Sequence, residues 1–232
     1  MIQHREDSYG FIDKDSLKRT FSINEFNCDS LIKASELNII LSNDNFSKSY
    51  FNFIVISQIL KKGCSVAYMD IDTVFSAFLP HIDLSLPEAG NLILFTSNSS
   101  NLEKTIMQLC SIKLPYLGLV VIDSLTILYH VLSKEYNPSI LNRKIALYLS
   151  LLQNFANRQG IPVIVTSMTR SKIKSKKDQS WFLSPTGDRF FSKLNNVLKL
   201  GNIRNNVKIN IIRHSNCYLK GKIFLIPIKI NL

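Results

Sequence analysis

What the sequence lacks narrows its class first. The four cysteines, Cys28, Cys64, Cys110 and Cys217, show no CxxC spacing, and no cysteine–histidine cluster resembles a zinc site. A reducing, intracellular setting, cytoplasmic, is the natural reading. The four histidines are scattered, which favours structural or exposed roles over catalysis. The opening residues Met1–Asp7 carry no apolar signal-peptide core. No apolar run approaches the about 18 residues of a membrane span, so no membrane insertion is expected. Internal repeats and low-complexity linkers are missing too, and charged residues stand at only 19% against a usual quarter or so.

What is present describes one sizeable domain of 232 residues with an ordinary hydrophobic content of 46%. Net charge is +11 and the pI is about 9.5, which favours a polyanionic partner, nucleic acid or an anionic surface. Residues 1–30 are polar and weakly patterned, and read as a short lead-in to a core domain over 31–232. Short apolar runs then alternate with longer helical patterns. Strands are expected at 37–41, 64–69, 92–95, 119–122, 162–166, 197–200, 207–212 and 222–228, and helices at 49–62, 102–111 and 138–158. Helix-length segments separate the first five strands, the rhythm of a parallel sheet covered on both faces. Short turns join the last three, which read as an antiparallel extension at one edge. The expected class is α/β, a largely parallel central sheet flanked by helices.

Between the strand ending at Leu41 and the first long helix stands Ser42-Asn43-Asp44-Asn45-Phe46-Ser47-Lys48-Ser49. A phosphate-binding loop reads GxxxxGKS in that slot, so Lys48 and Ser49 are in place while serines stand at both glycine positions, Ser42 and Ser47. A surface lysine at a helix start would leave the same trace. The run Leu119-Val120-Val121-Ile122 ends in Asp123, a carboxylate at the strand edge where ligands of open α/β sheets bind and where a nucleotide's Mg²⁺ needs one. Asp70 and Asp72 end another strand, two residues apart and thus on one side of an extended chain.

These elements, in this order, resemble the RecA/RadA recombinase superfamily, and most closely its short archaeal paralogues of the RadB type. Residues 61–70 look like the family's segment after the Walker A helix, Leu119–Leu125 like its Walker B strand, Gln159–Ser167 like the following helix end and strand, and Ser184-Pro185-Thr186-Gly187 like the turn closing its second DNA-binding loop. The resemblance implies a RecA-like P-loop core. It implies ATP and Mg²⁺ as weak ligands at Ser42, Ser47, Lys48 and Ser49, with Ser49 and Asp123 at the metal, and it puts the family's catalytic glutamate on Asp72. Departures accompany these matches. Serine resists the positive φ of the glycine slots, Asp72 is one methylene short, and the family's switch glutamine falls on Met168, which cannot hydrogen-bond a γ-phosphate. Little hydrolysis is therefore expected, at most a weak DNA-dependent ATPase.

The segment after the 162–166 strand holds Arg170, Lys172, Lys174, Lys176 and Lys177, then Trp181 beside Phe182. Basic residues match a phosphate backbone and an exposed aromatic stacks on bases; a solvated basic loop with Trp181 in the core is the plainer alternative. The resemblance places the family's second DNA-binding loop here and a weakly charged first loop at 129–137. The implied function is a recombinase paralogue that binds single- or double-stranded DNA and assists homologous recombination and repair beside a full-length RadA-type recombinase or another paralogue. A KaiC-like ATPase without a DNA role and a nucleotide-free partner-binding scaffold are the alternatives. Only about 30 residues precede the core, too few for the family's additional N-terminal domain. The segment Phe21–Phe26 lacks the family's Phe-x-x-Ala pattern, so no self-assembly into filaments is expected.

Overall fold

The computed structural model describes residues 20–22, 27–79, 91–96, 101–169 and 194–228. The expected eight strands are all present, as β2 (Leu37–Ser42), β3 (Ser65–Asp70), β4 (Leu92–Thr96), β5 (Leu117–Asp123), β6 (Val163–Met168), β7 (Asn196–Ile203), β8 (Asn206–Arg213) and β9 (Ile223–Pro227). A ninth, β1 (Thr20–Ser22), falls in the expected lead-in; three residues are too few to show a period. The helices are α1 (Asn45–Lys61), α2 (Val74–Phe78), α3 (Leu102–Leu109), α4 (Leu125–Leu132) and α5 (Pro138–Gln159). Helix α4 carries no separate signal in the sequence, because its apolar residues follow β5 with only Ser124 between them; that serine is the N-cap, accepting from the Ile127 N–H.

One sheet runs in the order β1-β9-β8-β7-β2-β6-β5-β3-β4. The pairs from β7 through β2, β6, β5 and β3 to β4 are parallel, and β8 and β9 follow β7 antiparallel, as expected. Alternation along the central strands feeds two cores. Val120 and Ile122 of β5 join α3, α4 and α5 on one face, while Leu119 and Val121 join α1 and Phe75 of α2 on the other. Because β2, β3 and β5 run parallel, their C-terminal residues Ser42, Asp70 and Asp123 all reach the same edge of the sheet.

In the segment Phe21–Phe26, which lacks the Phe-x-x-Ala pattern, Phe21 and Ser22 lie in β1, which pairs parallel with β9 of the same chain, Phe21 opposite Phe224.

At the opposite end of the sheet, Gly118 lets β5 pass beneath the end of α1. A Cβ there would lie 2.6 Å from Cys64 Cβ and 3.0 Å from Ile59 Cγ2. Cys64 Cβ is fixed to the backbone and cannot swing away. Gly118→Ala is therefore expected to destabilise the fold by about 1–3 kcal/mol. Urea unfolding followed by far-ultraviolet circular dichroism would read this as a lower midpoint.

Candidate functional site

The helix that carries Lys48 starts at Asn45, four residues before the expected start at 49. Asp44 is its N-cap: the carboxylate accepts the Ser47 N–H at 2.6 Å and the Ser47 hydroxyl at 2.9 Å. Serine at 47 makes this possible. It takes helical φ readily where a loop glycine would favour an open turn, and its hydroxyl adds a second bond to the cap. Ser42, at the end of β2, is buried; its hydroxyl donates to Asp44 O at 2.7 Å, and its carbonyl accepts the Thr169 N–H at 2.7 Å. The stretch from Ser42 to Ser47 is thus closed by its own hydrogen bonds.

Lys48 points inward and is fully buried. Its Nζ lies 2.5 Å from Asp72 Oδ2 and 2.7 Å from Asp123 Oδ1. Burial works against its charge, but Asp123 and then Asp72 outweigh that and raise its pKa above the ordinary lysine value. Asp123 is fully buried as well and is held on both oxygens. Oδ1 also accepts from the Thr166 hydroxyl at 2.5 Å, and Oδ2 accepts from the Tyr68 hydroxyl at 2.5 Å and from Asn52 Nδ2 at 3.4 Å. Burial, reinforced by the Asp123 carboxylate, raises the Tyr68 phenol well above its usual pKa, so it donates as a neutral hydroxyl.

Asp70 and Asp72 do converge with Asp123: oxygens of the three carboxylates lie within 4.8 Å of one another. Asp72 Oδ1 accepts the Val74 N–H at 3.2 Å. Asp70 Oδ2 accepts from the Ser76 N–H at 2.7 Å and the Ser76 hydroxyl at 2.5 Å, while its Oδ1 is buried without a partner. Burial raises the Asp70 pKa, against the Ser76 bonds that oppose the rise. Ser49 is buried and its hydroxyl has no hydrogen-bond partner. Met168 ends β6, its N–H donating to Thr126 Oγ1 at 2.8 Å. The DNA candidates Arg170, Lys172, Lys174, Lys176, Lys177 and Trp181, and the turn at 184–187, lie outside the described residues.

Four residues of this site were not singled out from the sequence. Asp44 had a signal, since an Asp three residues before Ser47 ahead of an apolar run is a helix-start pattern. Asn52, Tyr68 and Thr166 are polar interruptions in apolar runs, but only the folded sheet shows that all three turn to Asp123.

As placed, these residues do not fit a magnesium nucleotide. The N–H at the third helical position, which would meet a phosphate, is committed to Asp44. The ammonium that would reach the phosphates is buried between two carboxylates. The unpartnered Ser49 hydroxyl has the character of a cation ligand, but Asp123 Oδ1, its expected companion, is already shared by Lys48 and Thr166.

No family model matches the chain, and no curated protein matches it. Among solved structures, it is similar to the crystal structure of the RadB recombinase, with a TM-score of 0.63 and 19% sequence identity. The similarity covers 87% of this chain and 92% of that one. At this identity the likeness is one of fold, and the chain's fold is the RecA-like α/β core with an antiparallel extension at its C-terminal edge.

Proposed function

We propose that the protein is a DNA-binding accessory of homologous recombination and repair, a recombinase paralogue that works beside a full-length RadA-type recombinase or another paralogue. The observation that carries this reading is where the positive charge sits on the RecA-like fold. Residues 1–169 hold 14 Lys and Arg against 15 Asp and Glu, while residues 170–232 hold 14 against 2. The whole excess therefore belongs to the basic segment after β6 and to the antiparallel extension. Such segregation favours an extended polyanion over general solubility.

The described part of that half supports the reading. Between 194 and 228 there is no acidic residue. One face of the extension is packed under α1 through Leu198, Leu200, Val207, Ile209 and Phe224. The other carries Lys199 opposite Asn210 and Lys208 opposite Gly201, both lysines half-buried. The basic segment begins just past Thr169, whose N–H is bonded to Ser42, and Ser42 is paired with Leu200 of β7. The two basic regions thus start from β6 and β7, the strands that flank β2 on either side.

In this reading Arg170, Lys172, Lys174, Lys176 and Lys177 take phosphates, Trp181 stacks on a base, and Mg-ATP has no turnover role. No helix among the described residues is long and apolar enough to cross a membrane. The work takes place with the chromosome, in the cytoplasm or in a eukaryotic nucleus. The partner-binding scaffold without DNA is the second reading, favoured by the closed loop from Ser42 to Ser47.

Fluorescence anisotropy with labelled single-stranded and duplex oligonucleotides separates the two. The expected result is salt-sensitive binding without added nucleotide. Binding absent at low salt would leave the scaffold. In the same samples electron microscopy should show no regular helical filaments, with or without ATP, because β1 occupies the segment Phe21–Ser22 in cis. Filaments on single-stranded DNA would make the protein a recombinase in its own right.

A further inference from the structure

We infer that this chain fills its own nucleotide site: the Asp44 carboxylate stands in for a bound phosphate and the Lys48 ammonium stands in for a bound cation, so its ligand binding does not depend on a nucleotide. The inference rests on the geometry around α1 and holds whether or not the protein binds DNA.

The phosphate half comes from the helix start. A helix N-terminus presents unpaired N–H groups and the positive end of the helix dipole, and a phosphate satisfies both. Here the anion is internal. Asp44 takes the Ser47 N–H and the Ser47 hydroxyl, and the preceding Ser42 hydroxyl fixes Asp44 through its carbonyl. An incoming phosphate would have to expel a carboxylate and meet its charge. It would also meet a Cβ at Ser42 and at Ser47, where close approach to backbone favours glycine.

The cation half comes from the carboxylates. Asp72 and Asp123 converge as a metal site would, and Lys48 Nζ already lies between them at 2.5 and 2.7 Å. Thr166, Tyr68 and Asn52 hold Asp123 toward that ammonium. For Lys48 to turn outward to a phosphate, two carboxylates, one of them fully buried, would lose their counter-charge.

The test is thermal unfolding of the full chain titrated with Mg-ATP, Mg-ADP and Mg²⁺ alone, beside the variant Ser42→Gly/Asp44→Gly/Ser47→Gly. The unaltered protein is expected to show no ligand-dependent rise in Tm, since only a ligand bound to the native state raises it. The opened variant is expected to gain a saturable rise with Mg-ATP. A saturable rise with the unaltered protein would overturn the inference, and so would an opened variant that folds by circular dichroism yet stays silent. Should that variant not fold, lysine acylation read by mass spectrometry decides. Lys48 should remain protected in the native protein at every ATP concentration while surface lysines react. Rapid native-state labelling of Lys48 would overturn the inference as well.

Discussion

Replacing Lys48 with alanine is expected to destabilise the fold by about 3–5 kcal/mol, the usual consequence of removing one partner from a buried ion pair. A lysine that merely faced solvent at a helix start would lose about 0.5 kcal/mol or less. The size follows from what would be left behind. Asp123 is fully buried and Asp72 nearly so, and both lose their counter-charge together. Tyr68, Thr166 and Asn52 would still donate to Asp123, which places the loss within the range rather than above it. Lys48→Ala/Asp123→Asn should recover a good part of the loss, because the amide does not need a cation. Urea midpoints with an unchanged m-value would check both. Lys48→Ala lying within about 0.5 kcal/mol of the parent would mean that the lysine is not buried in solution. The pH dependence has a definite sign. The folded pKa of Lys48 is raised, so its contribution is fully present below the ordinary value of 10.5 and is lost only as pH rises through the higher folded value. Through the lysine, only alkali above about pH 10.5 should weaken this pair.

The elements that were legible in the sequence were those whose signal is local. Continuous apolar runs such as Leu119–Ile122 and Val163–Val165 marked buried parallel strands, and the short turns after Leu200 and Ile212 marked the antiparallel edge. Asp70, Asp72 and Asp123 could be placed at one sheet edge from their strand-end positions alone. The start of α1 was not legible, because a glycine loop of the GxxxxGKS kind and an Asp-capped helix differ in φ rather than in hydrophobic pattern. Whether Lys48 faced solvent or core was equally out of reach. Its direction is set by Asp72 and Asp123, which are 24 and 75 positions away in the chain. Residues such as Tyr68, Asn52 and Thr166 look like ordinary members of a strand or helix until the sheet order brings β3, α1 and β6 around β5.

The proposed internal closure of the loop also bears on what would control DNA binding. A recombinase core that senses a γ-phosphate can couple nucleotide state to DNA affinity. On the proposal that Asp44 holds the phosphate position, and with the switch position that the resemblance implies falling on Met168, this chain would have no such input, and ionic strength and partner contacts would set its affinity instead.

DNA affinity is accordingly expected to fall steeply with salt and to ignore Mg-ATP. If Arg170, Lys172, Lys174, Lys176 and Lys177 each neutralise one phosphate of a single strand, they contribute a slope of about 3.5 in log K against log salt, at roughly 0.7 per phosphate. A fourfold rise in salt should then weaken binding about 100-fold through this segment alone. Neutralising Lys174, Lys176 and Lys177 together should reduce the slope by about 2, while the fold, measured by Tm, stays where it was. Lys199→Gln with Lys208→Gln provides the parallel measurement on the extension, expected to remove a further 1 or so from the slope. Trp181 should report the same event by quenching as its indole stacks on a base. The three changes are separable. A flattened slope without quenching keeps the phosphate contacts and returns Trp181 to the core. Quenching without a change in slope moves the charge contacts elsewhere. A slope unaffected by either set of substitutions would detach the positive half of the chain from DNA altogether. Anionic vesicles assayed under the same salt series would then show whether a lipid surface, and not a nucleic acid, is the polyanion that residues 170–232 are charged to meet.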